Sequence, residues 1–253
     1  MTTYFVHDTT VLLKRSLRHI LRSPDTIITT AITPIAMLLL FVYVFGGAID
    51  VGGATYVNYL LPGILLITVA SGIAYTAFRL FTDVSSGIFE RFQSMPITRS
   101  AVLWSHVLTS VVANLTSLVL VVLVAVAMGF RSGAGVLAWL TVLGIMVLFT
   151  LGLTWLAVVP GLTAKSVDGV SGFSYPLIFL PFISSAFVPT AGMPGPVRWF
   201  AQHQPVTSIV NTIRNLYAEA PVGNDAWIAL AWCVGLLLVA YTLAMRTYRH
   251  KIA

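Results

Sequence analysis

The chain is poor in charge and nearly free of cysteine. Only 9% of its 253 residues are Asp, Glu, Lys or Arg, where a soluble globular domain carries roughly 25%, so it cannot clothe an ordinary water-exposed surface. The single Cys233 excludes an internal disulfide and any cysteine-rich metal site, both of which need more than one thiol. A phosphate-cradling loop is missing too. The run Gly161-Leu162-Thr163-Ala164-Lys165-Ser166 has a Lys-Ser ending but lacks the second Gly and the reach of the G-x-x-x-x-G-K-[ST] pattern. If ATP is used, another chain must bind it. Residues 1–22 also lack the layout of a cleavable signal, because Lys14, Arg15, Arg18 and Arg22 follow the first apolar stretch rather than precede it.

What fills the chain instead is hydrocarbon. Hydrophobic side chains make up 58% of it, the mean hydropathy is +0.93, and the apolar residues are gathered into long blocks. About 20 apolar residues in a helix cross roughly 30 Å of bilayer core, so the sequence predicts an all-α integral membrane protein. The net charge of +6 does not indicate nucleic acid, because the basic residues are spread between apolar blocks rather than clustered on a solvent face.

Six spans are expected, near residues 26–45, 59–78, 102–128, 136–159, 170–187 and 226–245, within one transmembrane domain covering 1–253. Residues 1–25 precede the first span and 246–253 form a tail. Pro34 lies in the first span, and Pro176 and Pro181 predict a bent or interrupted fifth one. With both termini in the cytoplasm, eleven basic residues fall inside: Lys14, Arg15, Arg18, Arg22, Arg79, Arg91, Arg99, Lys165, Arg246, Arg249 and Lys251. Arg131, Arg198 and Arg214 alone fall outside. That asymmetry fixes the expected orientation.

Three segments do not read as plain spans or turns. Residues 11–22 place Leu13, Leu17, Ile20 and Leu21 at helical spacing against the basic stripe Lys14, Arg18 and Arg22, with Arg15 beside it, which predicts an interfacial helix lying on the membrane. The outer connection 189–225 carries Val206, Ile209, Val210, Ile213, Leu216 and Tyr217 on one face of a helix and Ser208, Asn211, Thr212 and Asn215 on the other, which predicts helices that dip into or lie on the outer leaflet, against the alternative of a plain loop with hydrophobic packing. The inner segment 83–99 mixes charge with Ile88, Phe89, Phe92 and Met95, and aromatic anchors with a charged rim suit a protein contact, against the alternative of an interfacial helix resting on lipid.

Taken together, the basic N-terminal helix, the run Glu90-Arg91-Phe92-Gln93-Ser94-Met95-Pro96-Ile97-Thr98-Arg99, and Ser184-Ser185-Ala186-Phe187-Val188-Pro189 followed by Met193-Pro194 and Gln204-Pro205-Val206-Thr207 resemble the type-2 ATP-binding-cassette permeases. The similarity is strongest to the daunorubicin-resistance-like exporters of bacteria, and it covers nearly the whole chain. It implies a transport subunit rather than an enzyme, in the bacterial plasma membrane, working as two permease copies (a homodimer) with two copies of a separate ATPase. ATP and Mg would then sit in that partner and no cofactor in this chain. It also implies an ATPase-coupling set of Gly87, Phe89, Glu90, Arg91, Phe92, Met95 and Pro96, joined by Lys165 and Asp168 from the second inner loop. The cargo would be a hydrophobic or amphiphilic drug, antibiotic or lipid.

Within the spans, Tyr75, Asn114 and Thr116 are the candidate polar contacts of a translocation path, against the alternative that they bond across helices. Two other functional classes fit the sequence less well. An ion-coupled secondary transporter would place a carboxylate or His inside the bilayer, whereas no acidic residue lies near the middle of any expected span and His106 sits only a few residues into the third. An intramembrane serine protease could use Gly169-Val170-Ser171-Gly172 only with a buried base nearby, and both His203 and His250 fall outside the spans.

Overall fold

The fold was analysed in a computed structural model of the chain. It describes residues 10, 25–47, 49, 55–87 and 99–252, without the side chains of 25–29, 99, 100 and 252. The expected interfacial helix, with Lys14, Arg15, Arg18 and Arg22, lies outside the described residues. So do Phe89, Glu90, Arg91, Phe92, Met95 and Pro96.

Every regular element among the described residues is helical. Helix α1 spans Asp25–Leu40 and passes into a π-helical turn, Phe41–Phe45. It is followed by α2, Tyr56–Ser85, α3, Arg99–Ala127, and α4, Val136–Thr163. Short elements come next: α5, Val167–Gly172, α6, Tyr175–Phe179, and a 3₁₀ turn, Leu180–Ile183. Then α7, Gly195–His203, and α8, Pro205–Tyr217, lead into α9, Asp225–Ile252. Four of these, α2, α3, α4 and α9, are long and apolar enough to cross a membrane. The α1 segment and residues 167–183 are shorter apolar stretches.

Helix α2 is the hub, packed against α1, α3, α4, α5 and α8. It can take that place because it is apolar nearly all round, and 83% of its most apolar window is buried. The corresponding share in α9 is 22%, so α9 forms an outer wall, packed mainly on α4. That pairing is close. A Cβ on Gly152 of α4 would come within 3.3 Å of the Leu237 backbone N of α9, the kind of approach that small residues permit between membrane helices.

The fifth apolar stretch is interrupted, as its prolines predict. Pro176 has no N–H to return to the carbonyl of Gly172, and Pro181 none for that of Leu177, so regular helix cannot run through either point. The chain turns at Phe173-Ser174, where Ser174 N and Oγ both donate to the Ser171 carbonyl at 3.1 and 2.7 Å. The α3–α4 turn is closed by local chemistry. Gly129 adopts φ +100°, Gly129 N donates to Val126 O at 3.1 Å and Phe130 N to Ala125 O at 2.9 Å, which is the paired-bond stop of a helix ending in a left-handed residue.

Several helices outrun the expected spans: α3 starts at Arg99, α4 ends at Thr163, α9 continues to Ile252, and α2 begins at Tyr56 and continues to Ser85. Its 30 residues make about 45 Å of helix at 1.5 Å per residue, more than a bilayer core needs.

Candidate coupling face, polar notch and outer cluster

The C-terminal ends of α2, α4 and α9 and the start of α3 meet at one end of the bundle. Asp83 Oδ2 of α2 lies 3.1 Å from Nε2 of His106 on α3, both largely buried. This contact ties together the two helices that bracket residues 88–98. On the other flank, a Cβ on Gly161 of α4 would lie 2.9 Å from Leu80 Cδ2 and 3.1 Å from the Ala77 carbonyl of α2. Lys251 Nζ of α9 donates to Leu162 O at the end of α4, a cation on helix-terminal carbonyls where the dipole favours it.

Gly87 sits just past α2 with φ +72°, a backbone state that only Gly adopts without penalty. Lys165 is exposed on the α4–α5 loop and Asp168 in the first turn of α5. That loop is shaped by Ser166, whose Oγ accepts from Gly169 N at 3.2 Å and caps α5, and α5 packs on α2. Gly87, Lys165 and Asp168 therefore lie at one end of the framework, the end where α2 and α4 finish.

Deeper in the bundle, Tyr75 and Asn114 meet in a small polar notch of about 10 Å³, shared with Thr30, Gly72, Thr76, Arg79, Ser110 and Ala113. Asn114 Nδ2 donates to Ser110 O at 2.9 Å, while its Oδ1 has no hydrogen-bond partner among the described residues. That oxygen lies against the Cα of Gly72, so close that a Cβ there would stand 1.9 Å from it. A Cα–H contact is the weak bond this geometry allows. Thr116 does not join the notch. It is exposed on another face of α3, and its Oγ1 donates back to Val112 O at 2.9 Å.

At the opposite end, the structure brings together a cluster that the sequence reading does not single out. Arg214 of α8 stacks on the Tyr59 ring, with Cζ 3.7 Å from its centroid. It donates to Tyr59 O at 3.1 and 3.2 Å and to Ser185 O at 2.7 Å. Asn211 Oδ1 accepts from Arg214 at 3.3 Å and from Ser185 Oγ at 2.7 Å. Carbonyls, an amide and a ring take the place of a carboxylate, and burial pulls the guanidinium's pKa below its ordinary value. The fork thus fastens α8 and the 184–187 turn to α2. The signal for it was a lone Arg next to apolar Ile213 on an otherwise neutral helix.

Helix α8 forms where the pattern predicts, but its polar side is not solvent-facing throughout. Ser208 and Thr212 are buried, and Thr212 Oγ1 donates to Ser208 O at 2.7 Å. Beyond it, Tyr217 packs among Phe130 and Trp139 with ring centroids 5.3 and 4.8 Å away, and burial raises its pKa. Asn58 pairs reciprocally with the Arg131 backbone at 2.8 and 3.2 Å, so the start of α2, the α3–α4 turn and the end of α8 are joined at this end.

Comparison with known proteins supplies the context for this architecture. Residues 7–217 match the family described as ABC-2 type transporter. The chain is 30% identical over 234 residues to the daunorubicin resistance ABC transporter permease protein DrrB1 of Streptomyces coeruleorubidus, covering 91% of this chain and 82% of that one. It is 24% identical over 247 residues to the "Probable doxorubicin resistance ABC transporter permease protein DrrC" of Mycobacterium tuberculosis, covering 97% and 90%. An all-helical bundle with several membrane-length helices, matched over this much of its length, belongs to the ABC-2 type transporter family of multi-pass membrane permeases.

Proposed function

We propose that the chain is the membrane-spanning subunit of an ATP-driven exporter, and that it moves a hydrophobic or amphiphilic compound across the bacterial plasma membrane. The observation that carries this reading is the similarity, over 91% of the chain, to a permease named for daunorubicin resistance. Two copies pair, and each engages one copy of a separate ATPase that binds ATP and Mg. The α1 segment and the interrupted stretch 167–183 complete six spans, α7 and α8 dip into the outer leaflet, and both termini are cytoplasmic.

In this reading the end bearing Gly87, Lys165 and Asp168 faces the ATPase, with Phe89, Glu90, Arg91, Phe92, Met95 and Pro96 forming the docked segment. The Asp83–His106 contact and the Gly161–Leu80 approach support it, because a push on the segment reaches the spans only through a stiff element with discrete arrangements. Tyr75 and Asn114 border the path. Thr116, facing another side, is a contact with lipid or with the second copy.

The test is co-purification of the tagged chain in detergent with the ATPase encoded beside its gene, comparing wild type with the double variant Glu90→Ala/Met95→Asp. Retention by wild type and loss by the variant is the expected result. No ATPase in either sample overturns the exporter reading in favour of an ion-coupled transporter.

A further inference from the structure

A cavity of about 420 Å³ lies between α4, α8, α9 and the broken 175–183 segment. Leu66, Phe149, Leu153 and Ile209 form its floor, and Trp232 and Val239 of α9 stand at its open flank. Its size falls within the range of ligand pockets and well above the ~150 Å³ of an apolar cavity that holds benzene. Its almost wholly apolar lining gives water no partners. Such a lining suits an apolar occupant.

Two observations identify the occupant. The open flank belongs to the least buried long helix, and Trp232 and Val239 are 46% and 57% exposed, so the cavity is continuous with the hydrocarbon around the protein. Trp227, 71% exposed one and a half turns nearer the start of α9, is the type of residue that marks headgroup depth, which sets the cavity just below it among acyl chains. The lining also lacks the few placed polar groups by which a site for a specific small molecule fixes orientation. We infer that this cavity holds one acyl chain of a bilayer phospholipid, admitted sideways past α9 and wedged between α4 and α8.

Gly235 makes the test clean. It lines the cavity, and a Cβ built on it meets nothing within 4 Å, so a larger side chain there starts in open space beside the cavity. The chain is reconstituted in bilayer discs of phosphatidylethanolamine and phosphatidylglycerol, with a trace of phosphatidylethanolamine carrying a mid-chain diazirine. After illumination, adducts are mapped by mass spectrometry. Adducts on Leu153 and Ile209, which are buried, read the cavity, and adducts on Leu123, exposed on α3, read the general lipid surface. Wild type is expected to carry both kinds. Gly235→Leu, and independently Val239→Trp at the opening, should cut the cavity adducts about tenfold, equivalent to ~1.4 kcal/mol of occupancy, and leave Leu123 labelling unchanged as the sign of an intact fold. Absence of cavity adducts in wild type beside normal Leu123 labelling overturns the inference, as does their persistence in both variants. Labelling of Leu153 by a diazirine-bearing fused-ring hydrocarbon but not by the phospholipid also overturns it, and assigns the cavity to cargo. No ATPase is needed, so the outcome is independent of the exporter reading.

Discussion

Asn114 was legible in the sequence as a polar side chain in a span, but its partner was not. Gly72 is one of nineteen glycines, and only the register between α2 and α3 shows that its missing side chain makes room for the Asn114 amide. Gly72→Ala is expected to lower stability in detergent by about 1–3 kcal/mol, as overpacking does. On an Asn114→Ala background most of that loss should vanish, because the atom that clashes has gone. A thermal-unfolding double-mutant cycle measures it, and simple additivity would show that the two residues do not collide. Arg214 gives the complementary case of a charge held by neutral groups. Arg214→Lys keeps the charge but cannot hold the Tyr59 and Ser185 carbonyls together through one planar fork. It should cost about 1.5–3 kcal/mol by the same measurement, the worth of a hydrogen bond to a charged group. A shift near zero would mean that the fork is not needed to fasten α8.

Element positions were far more readable than element contacts. Apolar length alone located α2, α3, α4 and α9, and prolines announced the break at 172–183, because both signals are local. What composition could not reveal is which helices touch, since α4 is apolar on all sides and any face could meet α2. The contact is decided by shape. Gly161 lets α4 come against Leu80 and Ala77, and Lys251 closes the α4 terminus from α9. Gly161→Val should therefore separate α4 from α2 at the end that carries Lys165 and Asp168, lowering the unfolding temperature in detergent by the equivalent of about 1–3 kcal/mol. Gly144, where a Cβ meets nothing within 4 Å, is the control, and Gly144→Ala should be nearly neutral. Equal effects at the two glycines would mean that the loss reflects helix composition rather than this crossing.

For the molecule as a whole, the helix ends sort the basic residues as the charge pattern predicts. Lys165 and Lys251 fall at the end where α2, α4 and α9 finish, while Arg131 and Arg214 fall at the other, beside the start of α2. The positive-inside rule, by which Lys and Arg are held back from translocation, would put the Lys165–Lys251 end in the cytoplasm, as the proposed function requires. The chain is suited to a direct check because Cys233, its only cysteine, is buried and can be replaced by Ser. A single cysteine introduced at exposed Lys165 or exposed Arg131 then reports one end each to a membrane-impermeant maleimide. In intact cells Arg131→Cys should label and Lys165→Cys should not, and permeabilisation should make Lys165→Cys react. The reverse pattern would put the Gly87–Lys165–Asp168 end outside, where no ATPase could reach it, and would remove the coupling assignment along with the orientation.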